Sequence, residues 1–95
     1  AIAAYQGLDA IEMAKQYQPD LILLDIMMPE MDGIEVLKRL RKDPQTRHIP
    51  VVAVTGMDEN REYFLSVGFD GWLGKPIFVE DLEAVIRRHL YLFNS

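Results

Sequence analysis

The stretch "LILLDIMMPEMDG", residues 21–33, decides the fold, because it joins a run of strand-forming aliphatic residues to a carboxylate and then to a turn. The apolar run is too short for a helix, so it predicts a strand buried on both faces. Burying an ionised Asp25 against leucines is costly unless a partner pairs with it. Asp25 therefore either caps the turn that follows or stands exposed at a sheet edge, where it can take part in chemistry.

Helices and strands alternate along the rest of the chain. Apolar stripes at helical spacing predict helices over 7–18, 31–43, 59–67 and 79–93. Short apolar runs predict strands over 20–25, 49–55 and 70–76, and residues 1–6, "AIAAYQ", look like the end of one more strand. Asp32 is a plausible N-cap of the second helix, with Glu35 three residues on. This alternation indicates one α/β domain over 1–95, with a parallel sheet and helices on both faces.

Composition narrows the class of partner. The chain has 95 residues, a net charge of −5 and no cysteine. The acidic surface argues against nucleic acid or an anionic membrane as the primary partner, and it suits divalent cations or a basic patch on another protein. The apolar runs "LILL" and "VVAV" are far too short to span a bilayer, and no secretory leader is visible before Ala1. We therefore expect a cytoplasmic protein with no membrane insertion.

Three predicted strands end in a polar residue: Asp25 after "LILL", Thr55 after "VVAV" and Lys75 after "WLG". In an open parallel sheet, ligands bind beyond the carboxyl ends of the strands. A carboxylate there can attack a phosphoryl group, while an ammonium and a hydroxyl can hold the transferred oxygens. Each residue alone is weak evidence, but the three together favour a functional site over a simple cap.

The stretches "PDLILLDIMMPEMDGIEVLKRLR", "IPVVAVTG" and "GFDGWLGKPI" resemble the receiver domains of two-component response regulators. The resemblance covers essentially the whole chain. It implies a flavodoxin-like, doubly wound five-stranded parallel sheet. It also implies a regulatory phosphoacceptor, in place of an enzyme with a turnover of its own. A histidine kinase or phosphotransfer protein would be the donor.

The same resemblance assigns roles to individual residues. Asp25 would accept the phosphoryl group and bind Mg²⁺ together with the backbone carbonyl of Met27. Thr55 would swing to bond the phosphate, and Lys75 would pair with it. Trp72 holds the place of the aromatic ring that rotates inward when the threonine moves. The Lys75–Pro76 peptide bond would be cis, which costs little before proline.

Two departures from the family pattern stand out. The acidic pair that binds Mg²⁺, together with the first strand and first helix that carry it, has no counterpart in this sequence. The missing strand would be the central one in the order 2-1-3-4-5, so we expect its loss to disrupt the core as well as the metal site. In addition, the segment from Thr55 to Lys75 is about two residues shorter than the family spacing leads us to expect.

Three functions therefore compete. The first is a phosphorylation-dependent switch that acts on partners through the face formed by the helix at 59–67, the strand at 70–76 and the last helix. The second is a receiver-like module that no longer accepts phosphate and works by docking or as a homodimer. The third is a phosphohydrolase with an aspartyl nucleophile. Such enzymes commonly carry a second Asp two residues later, and here that position is Met27, which speaks against the third function.

Overall fold

The computed structural model describes residues 2–7, 9–26, 33–56 and 61–90. The strands are β1 (Ile2–Tyr5), β2 (Leu21–Asp25), β3 (Val51–Thr55) and β4 (Gly71–Gly74). The helices are α1 (Asp9–Tyr17), α2 (Gly33–Lys42), α3 (Arg61–Val67) and α4 (Val79–Leu90). The alternation predicted from sequence is confirmed, including a strand in residues 1–6. The proposed cap Asp32 and the proposed ligand Met27 lie outside the described residues.

The four strands form one parallel sheet in the order β1-β2-β3-β4, so each strand neighbours the next one along the chain. Parallel crossovers are right-handed, and right-handed crossovers that always step in one direction place their helices on one face. Buried residues of α1, α2 and α3 accordingly pack in one core cluster, whereas α4 packs against the other face. Helices thus cover both faces, as expected for a flavodoxin-like fold, but unequally.

The core lies mainly between the sheet and the first three helices. From α2 it takes Val36, Leu37 and Leu40, each at most 1% exposed. Opposite them lie alternate strand residues, among them Ile22 and Leu24. The other face is thinner, because α4 has only partly buried apolar residues over the strands. The residues that pack there from α4 are Leu82, Val85, Ile86 and Leu90.

The expectation that a missing central strand would disrupt the core is wrong for the described residues. β1 pairs directly with β2, with Ile2 opposite Leu21 and Tyr5 opposite Leu24. No gap separates the two strands, and Leu21 and Leu24 are fully buried. The direct pairing works because adjacent parallel strands need only backbone hydrogen bonds and a matching apolar face.

The start of α2 is set by a close approach of backbone to side chain. A Cβ atom on Gly33 would lie 2.6 Å from Cγ2 of Ile26, the residue that follows β2. The glycine in "MDGIEV" is therefore more than turn punctuation, since no larger side chain fits between the strand end and the helix.

At the end of the sheet where the strands begin, the carboxylate of Asp70 joins three segments. Oδ2 of Asp70 accepts hydrogen bonds from the backbone N–H of Val51, at 2.8 Å, and from the guanidinium of Arg41. The same guanidinium donates to the carbonyl oxygen of Ile49 at 2.8 Å. This cluster fixes the end of α2 to the starts of β3 and β4.

Among the helices of the described residues, none combines the length and the hydropathy that crossing a membrane requires.

Candidate phosphoacceptor site

The structure brings together two of the residues singled out from the sequence, Asp25 and Lys75. Nζ of Lys75 donates to Oδ2 of Asp25 at 2.7 Å. Asp25 ends β2 and Lys75 follows β4, so the pair bridges the carboxyl edge of the sheet across the end of β3. The side chains of Asp25 and Lys75 are 23% and 44% exposed. The carboxylate is therefore paired with a cation and still open to an incoming group.

Thr55 and Trp72 lie on the other face of the sheet. Residues paired across strands share a face and successive residues alternate, so Thr55 points away from the face of Asp25, which pairs with Val54. Thr55 is fully buried and pairs in register with Gly74. The Trp72 ring covers that glycine, since a Cβ on Gly74 would lie 3.0 Å from the indole.

The backbone connects the two faces at this point. The N–H of Lys75 donates to the carbonyl of Thr55 at 2.7 Å, and the Lys75–Pro76 bond is cis, as the resemblance implied. The structure thus places Asp25 with Lys75 on the α4 side, and Thr55 with Trp72 on the side of the first three helices. A movement of Thr55 toward Asp25 would have to carry its side chain around the end of β3.

A cavity of about 290 Å³ adjoins the ion pair. The residues that line it are Ala4, Tyr5, Gln6, Leu23, Asp25, Val54, Lys75 and Ile77. The sequence arguments missed Tyr5, Gln6 and Ile77. A signal existed for the first two, because Tyr5 ends β1, Gln6 follows it, and the ends of parallel strands meet at one edge.

The described residues do not by themselves fit a resident Mg²⁺. Mg²⁺ demands near-octahedral oxygen coordination and is usually held by one or two carboxylates plus water or phosphate. Asp25 offers a suitable oxygen, but it is the one acid among the described residues lining the cavity, and Lys75 is already bonded to it. Nowhere do the described residues gather three acidic or histidine side chains that could hold a metal.

Comparison with known sequences identifies the family. Residues 1–87 match the family described as "Response regulator receiver domain". The polar-differentiation response regulator DivK of Brucella anthropi is 41% identical over 91 residues, which are 94% of this chain and 74% of that protein. DivK of Brucella melitensis matches to the same extent. About a quarter of each relative thus has no counterpart in this chain.

Solved structures agree. A two-component response regulator from Clostridium difficile superposes with a TM-score of 0.78 at 31% identity, over 97% of this chain and 75% of that one. The receiver domain of the sensor histidine kinase PA1611 from Pseudomonas aeruginosa was solved with magnesium in its active-site cleft. It gives a TM-score of 0.75 at 28% identity, over 88% of this chain and 70% of that one. The chain therefore belongs to the response regulator receiver domains of two-component signalling.

Proposed function

We propose that this receiver domain is a regulatory phosphoacceptor in which Asp25 takes a phosphoryl group from a phosphohistidine. The observation that carries this proposal is the 2.7 Å contact between Nζ of Lys75 and Oδ2 of Asp25 at the carboxyl edge of the sheet. A carboxylate held beside an ammonium, and partly open to solvent, suits attack on phosphorus followed by capture of the new charge.

The transfer can be written for the residues present. An oxygen of Asp25 attacks the phosphorus of the phosphohistidine, an O–P bond forms, the P–N bond breaks and the imidazole leaves. The ammonium of Lys75 then moves from the carboxylate to the phosphoryl oxygens, which carry about two negative charges near neutral pH. These steps are written for the described residues alone, which do not by themselves fit a resident Mg²⁺. Mg²⁺ is instead a variable of the experiment below.

A histidine kinase or a phosphotransfer protein is the proposed donor. Directly after the Lys75–Pro76 bond, Ile77, Phe78 and Val79 are 39%, 59% and 64% exposed. Three exposed apolar side chains in a row, next to the ion pair, suit contact with a protein better than with a small molecule.

The proposed response runs from Thr55 to the face formed by α3, β4 and α4. When the ammonium of Lys75 moves from the carboxylate to the phosphoryl oxygens, it shifts the segment just after β4, where the backbone N–H of Lys75 is bonded to the carbonyl of Thr55. The Trp72 ring lies on the same strand, so a change at Thr55 can bias a two-state equilibrium of this face. Partner proteins, including a second copy of the chain, would read that change.

The test is intact-mass spectrometry of the chain after incubation with acetyl phosphate, with Mg²⁺ or with a chelator. We expect the gain of one phosphoryl group in the wild type and none in Asp25→Asn. Lys75→Met should still gain the group, but the fluorescence of Trp72, the single tryptophan, should then respond less to it. Addition of phosphate to Asp25→Asn would refute Asp25 as the acceptor.

One observation favours a second candidate, a receiver-like interaction module that does not accept phosphate. Asp25 stands without a second acid among the described residues of its cavity. A single carboxylate that is already paired with Lys75 offers a metal ion less negative charge than two carboxylates would. An unchanged mass with acetyl phosphate and with a phosphohistidine donor, at any Mg²⁺ concentration, would select this candidate.

A further inference from the structure

Strand β4, at the edge of the sheet, carries an aromatic ring against each of two glycines. On one face the Trp72 indole covers Gly74, and on the other the His89 imidazole of α4 lies against Gly71. A Cβ on Gly71 would lie 3.3 Å from Nε2 of His89 and 3.2 Å from a methyl of Val52. The tip of the imidazole therefore lies directly against the backbone of β4, because Gly71 has no side chain to stand between the ring and the strand.

Nε2 of His89 is buried and finds no hydrogen-bond partner among the described residues. A neutral imidazole tolerates this position, because its one proton can sit on Nδ1 and leave Nε2 bare. An imidazolium does not tolerate it, since Nε2 would then carry a buried N–H without an acceptor, at a high cost in free energy. Burial lowers the pKa of His89 accordingly.

Charged groups approach His89 from several elements. Asp70, just before β4, acts to raise the pKa of His89, and Arg88, its neighbour on α4, acts to lower it. Two cavities, of about 340 and 360 Å³, are lined in part by His89. Their other charged or titratable lining residues are Arg61, Asp81 and Arg88 in the first cavity and Asp20 and His48 in the second. The named acids and bases are equal in number, three of each, and burial remains the largest influence on the pKa of His89.

Helix α4 is held to the sheet less firmly than α2. It has no fully buried residue among those described, whereas α2 buries Gly33, Val36, Leu37 and Leu40. A helix whose docking side chains are only partly buried exposes little apolar area when it detaches from the sheet. The free-energy cost of detachment is therefore small, because it scales with that area. A modest penalty at one contact can therefore release α4 while the rest of the domain stays folded.

We propose that the contact between His89 and Gly71 makes the docking of α4 pH-dependent, so that proton uptake by His89 detaches α4 from β4. The helix is docked when the imidazole is neutral and loosens as the pH falls below the ordinary histidine range, about 6.5. The device needs no phosphate. It rests on the proposed function only in one consequence: acid would alter the face formed by α3, β4 and α4 without any change at Asp25.

The test is NMR on the whole chain without a phosphodonor, at pH values from about 7.5 to about 5, a range that spans the ordinary histidine pKa of about 6.5. Side-chain signals of both histidines give their pKa values. Amide hydrogen exchange, corrected for its intrinsic pH dependence, gives the protection of α4 and α2. We expect His89 to titrate below the ordinary value and α4 to lose protection with acid, while α2 keeps its protection.

Two variants separate this effect from other acid effects. In His89→Gln, whose side chain is neutral throughout, the protection of α4 should not depend on pH. In His48→Gln, which changes the other histidine, it should fall as in the wild type. Equal loss of protection in α2 and α4, constant protection of α4 in the wild type, or an unchanged pH dependence in His89→Gln would each overturn the proposal. If His89→Gln folds poorly, the difference between the protection of α4 and that of α2 in the wild type, as the pH falls, still decides the matter.

Discussion

Asp25 and Lys75 form a close ion pair, yet both side chains keep contact with water. Exposed pairs contribute little to folding, about 0–1 kcal/mol, because solvent screens them and side-chain entropy opposes them. Under the proposed function, we therefore expect the pair to matter for the response to a phosphoryl group and only little for stability.

The first prediction separates these two roles. Lys75→Met should lower the free energy of unfolding by less than about 1 kcal/mol, while it weakens the tryptophan fluorescence response to a phosphodonor. Urea denaturation followed by circular dichroism measures the stability. Lys38→Met, at an exposed position on α2, is the matched control and should leave both quantities unchanged. A loss of several kcal/mol in Lys75→Met would make Lys75 a structural residue.

The second prediction concerns Gly33. Its Cβ would overlap Ile26 at 2.6 Å, so Gly33→Ala should destabilise the fold by about 1–3 kcal/mol through overpacking. Gly56→Ala is the control, because nothing lies within 4 Å of a Cβ there; it should be neutral or stabilise by up to about 1 kcal/mol. Equal losses in the two variants, measured by urea denaturation, would contradict the close approach of β2 and α2.

Among the elements, α2, β3 and β4 are joined through a single carboxylate, that of Asp70. Our third prediction is that Asp70→Ala costs about 1–3 kcal/mol, because the N–H of Val51 then loses its acceptor. Asp70→Asn, which keeps an amide oxygen for that N–H, should cost less. Thermal unfolding of the three proteins ranks them. If the asparagine variant is as unstable as the alanine variant, the ion pair to Arg41 outweighs the hydrogen bond to Val51.

The elements themselves could be predicted well because their signals are local. Period-3.6 and period-2 patterns fix helices and strands, and the edge at which Asp25 and Lys75 meet follows from strands being parallel. The face of each side chain could not be predicted, because it depends on register. Thr55 points away from the face of Asp25 since Val54, one residue earlier, is the partner of Asp25. No pattern along the chain encodes that pairing.

For the whole molecule, the family order without its central strand matches the order of the four described strands. The loss of that strand led us to expect a disrupted core, whereas β1 and β2 pair directly. No local signal in the sequence predicted this direct pairing. Contacts between distant residues, such as Arg41 with Asp70 or His89 with Gly71, likewise lack a local signal. They exist only once α2 and α4 have been placed against the sheet.

The fourth prediction concerns stability against pH. The carboxylate of Asp43 accepts the backbone N–H of Gln45, at 2.9 Å, and an ion pair from Lys15 at 3.0 Å, which together lower the pKa of Asp43. Its contribution to stability is thus complete above the ordinary aspartate pKa, about 3.9, and is lost as the pH falls through the lower value in the folded state. Asp43→Asn should therefore flatten the acid side of a plot of Tm against pH.

The control for that prediction is Glu83→Gln, at an exposed position on α4, which should leave the acid side as steep as in the wild type. The alkaline side offers a second check. Lys15 has a raised pKa through its bond to Asp43, so the contribution of Lys15 is present below its ordinary pKa and is lost as the pH rises through the raised value. An acid side that stays equally steep in Asp43→Asn would refute this role of Asp43.

Because each strand lies beside its neighbour in the chain, no strand has to be threaded between two that are already paired. The sheet can therefore grow one crossover at a time, and it can fray in the same way from its rim. Detachment of β1 would leave a smaller three-stranded sheet with its pairing intact. In a sheet whose first strand is central, the same event would split the domain in two. The order of the strands therefore allows both growth and fraying of the sheet to proceed from an edge, one strand at a time.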